Sequence, residues 1–133
     1  MQQRSVLTQM LNIFDLDEFH HGDCVGVDQQ AAVMVRGMYT SATIHNHPPD
    51  NPKYRAYTFA DHLHEEKPYL KRNADIVAAS DLMIACPATW VEQARGSGTW
   101  ACIRECGRQG KSLTIIYPTG ETEHRPGVEG STE

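Results

Sequence analysis

No apolar run in this sequence approaches the roughly 20 residues that a membrane-spanning helix needs. The first residues, Met-Gln-Gln-Arg-Ser, lack the basic start and apolar block of a secretion signal. Both absences point to a cytoplasmic protein. There is no basic run either, and the formal net charge is -5. Tight non-specific nucleic-acid binding rests on Lys and Arg neutralising phosphates, so DNA is not an expected partner. None of the four cysteines, Cys24, Cys86, Cys102 and Cys106, forms a Cys-x-x-Cys pair. With nothing to suggest an oxidising compartment, they read as reduced and mostly buried small apolar residues.

Two kinds of catalytic signature are also missing. The seven histidines include the close pairs His20 and His21, His45 and His47, and His62 and His64. On a strand His45 and His47 share a face, as two metal ligands would. Yet no zinc-finger spacing and no His-Glu-x-x-His pattern occurs. The sequence therefore predicts no metal site and no required cofactor. Gly96-Ser97-Gly98 lacks the second spacer of a Gly-x-Ser-x-Gly nucleophile turn.

What is present is the composition of an ordinary globular domain, with 40% hydrophobic and 22% charged residues over 133 positions. That length suits one domain with a real core. Val6, Leu7, Met10, Leu11 and Phe14 recur at helical spacing within 5–14. Glu18 to His21 reads as a brief strand running into Gly22. Ala31, Ala32 and Val35 mark a helix that opens at Gly26-Val27-Asp28. Ser41 to His45 alternates as a strand. The proline-rich stretch from His47 to Pro52 is a loop, continuing to Glu66. A helix is predicted over 69–79, a buried strand within Asp81 to Pro87, a helix over 98–108 and a last strand over 113–117. Residues 1–120 form one domain. Glu121 to Glu133 holds almost no apolar residues and is expected to be a disordered tail.

Strand alternating with helix implies a three-layer α/β domain with a parallel sheet, Rossmann-like in architecture. In such sheets ligands sit beyond the carboxyl ends of the strands. The chain opens directly on a helix, so the usual first strand is either absent or lies upstream. An edge left open in that way needs a cover, for which a partner subunit would serve.

Two segments follow strands and carry glycines. In His21-Gly22-Asp23-Cys24-Val25-Gly26-Val27-Asp28, glycines let backbone N–H groups approach a phosphate, and a helix N-terminus adds partial positive charge. Asp23 is a candidate acceptor for a ribose or base. The alternative is a tight turn with Asp23 or Asp28 as a helix cap. Arg95-Gly96-Ser97-Gly98-Thr99 has the same content, with Ser97 or Thr99 as caps in the plainer reading. Arg72, beside Asn73 and Asp75, is suited to gripping phosphate, or else is a surface arginine paired with an acid. Trp90 and Trp100 flank the second glycine segment, where core packing is the simpler use.

The stretch Gly22 to Ala31 resembles the Gly-Gly-Ala-x-Gly-Ile-Asp-x-x-Ala signature of the DNA-processing protein A group. Arg72 through Pro87, with Gly96-Ser97-Gly98-Thr99, resembles the Arg-Lys … Ser-Asp … Pro-Gly-Gly-x-Gly-Thr stretch of the "lonely guy" cytokinin-activating enzymes. Both belong to the SLOG superfamily of Rossmann-like domains, and the resemblance runs from about Glu18 to Gly120. It is nearest to small bacterial and phage SLOG proteins that share the Gly-Asp-x-x-Gly-x-Asp turn, the Pro-Pro-x-Asn-Pro loop and the Pro-Tyr-Leu-x-Arg-Asn segment.

The resemblance implies a nucleotide or nucleotide-derived ligand held by Gly22, Asp23, Gly26, Asp28, Arg72, Asn73, Gly96, Ser97, Gly98 and Thr99. In the cytokinin-activating branch it also implies hydrolysis of a nucleoside-monophosphate N-glycosidic bond. That chemistry uses Arg72 and a glutamate three residues after Gly-Thr, where this chain has Cys102. Glu105, one turn further, or Asp23 or the Glu65-Glu66 pair would have to replace it. The leading expectation is thus a nucleotide-binding or nucleotide-sensing module. A nucleotide N-glycosidase with Arg72 and Glu105 as catalytic residues and a non-catalytic scaffold are the alternatives. SLOG-like domains commonly pair, so a homo-oligomer is expected.

Overall fold

A computed structural model describes residues 2–39, 41–93 and 98–128. The elements in order are α1 (Gln2–Ile13), β1 (Glu18–His21), α2 (Val27–Met38), β2 (Thr43–Asn46), β3 (His62–Leu63), α3 (Tyr69–Ala79), β4 (Leu82–Ala85), α4 (Gly98–Gln109), β5 (Ser112–Ile116) and β6 (Thr122–Arg125). A 3₁₀ turn at Pro52–Tyr54 interrupts the loop after β2. No described helix is long and apolar enough to cross a membrane.

The chain is a mixed α/β protein, but its strands form two three-stranded sheets instead of one. In the first, β1, β2 and β3 are all parallel, with His20 opposite His45 and His45 opposite His62. In the second, β4 and β5 are parallel and β6 is antiparallel to β5. Among the described residues, β1 and β4 each pair with a strand on one side only.

Two apolar clusters hold helices against opposite faces. Alternation along β4 and β5 sends Met83, Ala85, Leu113 and Ile115 towards Ile76 and Val77 of α3 and Trp100 and Ile103 of α4. Ile84 and Ile116 point the other way. They join Phe19 and Ile44 of the first sheet under Leu7 and Leu11 of α1 and Ala31 and Val35 of α2. The helix α1 therefore spans both sheets. The side-chain amide of Gln3 at its start donates to the carbonyls of Pro87 and Ile116, at 2.9 and 2.8 Å. Tyr39, just after α2, donates its hydroxyl to the carbonyls of Leu11 and Phe14 at the end of α1.

Two expectations are corrected here. The loop before Glu66 contains β3, whose two residues are too short to show a period. The segment expected to be a tail from Glu121 contains β6. A turn closes at Gly120, where φ is 95°, with the Gly120 N–H on the Tyr117 carbonyl at 2.8 Å. The Tyr117 N–H then donates to the Glu121 carbonyl at 2.7 Å. Polar cross-links hold the strand: the Tyr117 hydroxyl donates to Glu123 Oε1 at 2.5 Å, and Thr114 Oγ1 lies 3.1 Å from His124 Nδ1. An edge strand built from such pairs needs no apolar residues of its own. Residues 129–133 lie outside the described residues.

Candidate functional site

The first glycine turn follows β1 directly. Gly22 is buried against α3 so closely that a Cβ there would lie 2.8 Å from Arg72 Nη1 and 2.9 Å from Asp28 Oδ2. Arg72, a residue only 7% exposed, donates from Nη1 to the Gly22 carbonyl at 3.0 Å and towards Cys24 Sγ at 3.3 Å. Its Nε and Nη2 both donate to Asn73 Oδ1, at 3.2 and 3.0 Å. Asn73 Nδ2 then donates to the carbonyl of Gly98, the first residue of α4, at 3.2 Å. One dipeptide at the end of the first turn of α3 thus bridges the turn after β1 and the start of α4.

Gly26 stands at the N-cap of α2 with φ of 111°, a backbone shape that disfavours any side chain, and among the described residues no side chain caps that helix. Asp28, in its first turn, accepts from the Cys24 N–H at 3.2 Å. Thr99 is half-buried in the first turn of α4. Gly22, Gly26 and Asp28 therefore lie on one side of this bridge and Gly98 and Thr99 on the other, with Arg72 and Asn73 of α3 forming it. Gly96 and Ser97 lie outside the described residues.

Asp23 is used differently from the sequence expectation. It is 0% exposed, with φ of 53°. Its Oδ1 accepts from the Thr58 N–H at 3.0 Å and the Thr58 hydroxyl at 2.7 Å, and its Oδ2 from Arg55 Nε at 3.2 Å. Both oxygens clip the segment Arg55–Thr58 to the turn, so the carboxylate is not presented to a ribose. Next to it, His21 Nδ1 accepts the Asp23 N–H at 3.0 Å. His21 Nε2 and Asn46 Oδ1, on residues facing each other across β1 and β2, are both buried, and among the described residues neither meets a partner at hydrogen-bond geometry, although Asn46 lies close enough to act on the His21 ring. Burial holds His21 below its ordinary pKa, partly offset by Asp28 and Asp23.

Glu105 lies seven residues into α4, roughly 10 Å along the axis from Gly98. It is held there by Gln109 at 2.7 Å and Arg108 at 3.1 Å. Cys102 packs against the α3–α4 core, and its thiol is pushed up by hydrogen bonding to Cys106 and by burial. Burial also pushes the Cys86 thiol up to about 12. The tryptophans serve packing: Trp100 is buried, with Nε1 donating to Thr89 Oγ1 at 3.2 Å, and Trp90 stacks on Tyr117 at 4.5 Å.

A second cluster was only hinted at in the sequence. The face of the first sheet away from α1 and α2 carries Glu18, His20, His45, His47, His62 and His64. His20 and His45 stack at 4.0 Å, His47 and His64 at 4.1 Å, and His45 and His62 at 4.8 Å. Strand alternation could place His45 and His47 on one face. The register that adds His20 and His64 needed the sheet. Burial and the neighbouring imidazoles hold His47 down to about 3, and His45 and His64 are lowered for the same reasons. No family model, curated protein or solved structure matches the chain.

Proposed function

We propose that this chain is a Rossmann-like module of the SLOG kind. On this reading it binds a nucleotide, or a related phosphate-bearing small molecule, where the Gly22–Asp28 turn meets the start of α4. The observation that carries this reading is the Arg72–Asn73 bridge. It ties two helix N-termini together over a buried guanidinium. Backbone N–H groups at helix starts and a fixed positive charge are what a phosphate requires. Asp28 then accepts from a sugar hydroxyl, and Thr99 contributes a hydroxyl at the phosphate end. Binding is favoured over turnover, because no carboxylate in the position of Cys102 is available to stabilise an oxocarbenium-like transition state. Among the described residues β1 and β4 each lack a hydrogen-bonded strand on one side, which is the ground for proposing self-association.

The test is mass spectrometry of small molecules released on denaturing the purified protein, followed by calorimetric titration with nucleoside mono- and diphosphates. Bound or stabilising nucleotide is expected. Loss of Arg72 in Arg72→Ala should weaken it tenfold or more, since a hydrogen bond to a charged group contributes about 1.5–3 kcal/mol. Thr99→Val leaves the bridge intact and should weaken it by about 1 kcal/mol. If no nucleotide is released and none binds, the reading is wrong. Released free base in place of intact nucleotide would establish the glycosidase instead.

A further inference from the structure

The histidine face of the first sheet brings imidazole nitrogens of three strand-borne histidines together beside one carboxylate. Glu18 Oε1 lies 3.2 Å from both His20 Nε2 and His45 Nε2. A carboxylate accepts only, and its contact with His20 is a hydrogen bond, so it draws that ring's proton to Nε2 and leaves the His20 Nδ1 as a lone pair; towards His45 it acts by charge alone, and the His45 Nδ1 is the ring nitrogen not facing it. Those two Nδ1 atoms point at further imidazole nitrogens: His45 Nδ1 is 2.9 Å from His64 Nε2, and His20 Nδ1 is 2.9 Å from His47 Nε2. Ligand nitrogens of His20, His45 and His64 all lie within 4.8 Å of one another.

We propose that β1, β2 and the end of β3 form a site for a divalent transition-metal ion. His20, His45 and His64 are its ligands, and Glu18 is the carboxylate that orients His20 by a hydrogen bond and faces His45 as a charge. Two nitrogens each about 2.0–2.1 Å from one ion, at octahedral or tetrahedral angles, sit roughly 2.9–3.4 Å apart. The His45–His64 separation of 2.9 Å falls at the short end of that span, and the His20 nitrogen, within 4.8 Å of both, has to move closer for the ion to be held by all three. Imidazole donors select Zn²⁺, Ni²⁺, Cu²⁺ or Co²⁺ over Mg²⁺ and Ca²⁺, which prefer oxygen. Glu18 fills the outer-shell role that fixes ring orientation and tautomer in histidine metal sites.

The site also has room on one side. A cleft of about 410 Å³ lies beside His20 and His64, with His47, Glu65, Lys67 and Asp75 on its walls. Three protein ligands with a fourth position facing a cleft is the pattern of zinc sites that bind an exchangeable water or substrate. This site is on the sheet face, served by different side chains from the glycine turns, so it stands or falls independently of nucleotide binding.

The experiment uses the full chain without a histidine tag, stripped with a chelator and titrated with Co²⁺ by visible absorption and with Zn²⁺ by calorimetry. One ion per chain is expected, at micromolar affinity or tighter, with ligand-field bands on Co²⁺ loading. His45→Gln and His64→Gln should each weaken Zn²⁺ at least tenfold, and Glu18→Gln less. His124→Gln, on β6 and outside the cluster, should leave it unchanged. His64 is exposed, so its variant reports even if the half-buried His45 variant fails to fold. Absence of stoichiometric binding, or Zn²⁺ affinity unaltered in His64→Gln, would overturn the proposal.

Discussion

Arg72 Nη1 donates to the carbonyl of Gly22 at 3.0 Å, across 50 residues of sequence. The contact places a buried cation from α3 directly under the turn that follows β1. A Cβ at Gly22 would press on the guanidinium and on Asp28 together, so both side chains would have to shift. Gly22→Ala should therefore cost about 1–3 kcal/mol, the usual range for overpacking. Its effect should not add to that of Arg72→Ala, because both act on one contact. Urea unfolding of the two single variants and the double variant measures this. Strict additivity would mean that the two residues do not share the contact.

Asp23 is one residue further along, yet its contribution is of another kind. Its buried carboxylate holds Arg55 and both donors of Thr58. Asp23→Asn removes the charge opposite Arg55, whose side chain is 12% exposed, and should lower stability by about 3 kcal/mol. Because Asp23 is enclosed, nucleotide affinity of the folded variant should be close to that of the parent. Chemical denaturation and calorimetric titration of the same sample separate the two effects. A large loss of affinity with stability intact would return Asp23 to the ligand site.

The regular elements with a clear period were legible in the sequence. The helix over Tyr69–Ala79 matches its expected limits, because Leu70, Asn73, Ala74 and Val77 recur at helical spacing. The glycine turns and Arg72 were legible as chemistry, but the bridge through Asn73 was not. It depends on how α3 is set against α4. Asp23 was misread because its partners lie more than thirty residues away, in a stretch without regular structure. The histidine face escaped for a related reason. Alternation relates residues along one strand, whereas His20, His45 and His62 meet only through the register between strands.

Cys86 offers a pH-dependent signal close to the same turns. Burial, with the Asp28 charge adding to it, raises its pKa to about 12 from an ordinary value near 9. Between those values the unfolded chain has released the thiol proton while the folded chain keeps it. Folding stability is then fully present below about pH 9 and declines as pH rises towards 12. Cys86→Ala should remove this part of the alkaline loss. The check is the urea midpoint of parent and variant at pH 8 and pH 10.5, under reducing conditions. An identical shift in both proteins would sink the assignment. In the folded parent at pH 8, Cys86 should also resist iodoacetamide, and in urea it should react.

The strand β6 makes the region after Gly120 part of the fold. It covers the edge of β5, whose Leu113, Ile115 and Ile116 are fully buried. Removing residues 121–133 would take away the antiparallel ladder and the Tyr117–Glu123 bond, leaving β5 with an exposed row of backbone donors and acceptors. Such an edge beside apolar side chains is a template for pairing with another chain. The shortened protein should be less stable and should aggregate on concentration, as seen by light scattering. Tyr117→Phe isolates a smaller part of the same contact. It deletes one hydrogen bond while keeping the ring that stacks on Trp90, and should cost about 0.5–1.5 kcal/mol. A shortened chain that matches the parent in stability and solubility would mean that β6 contributes nothing, as a disordered tail would.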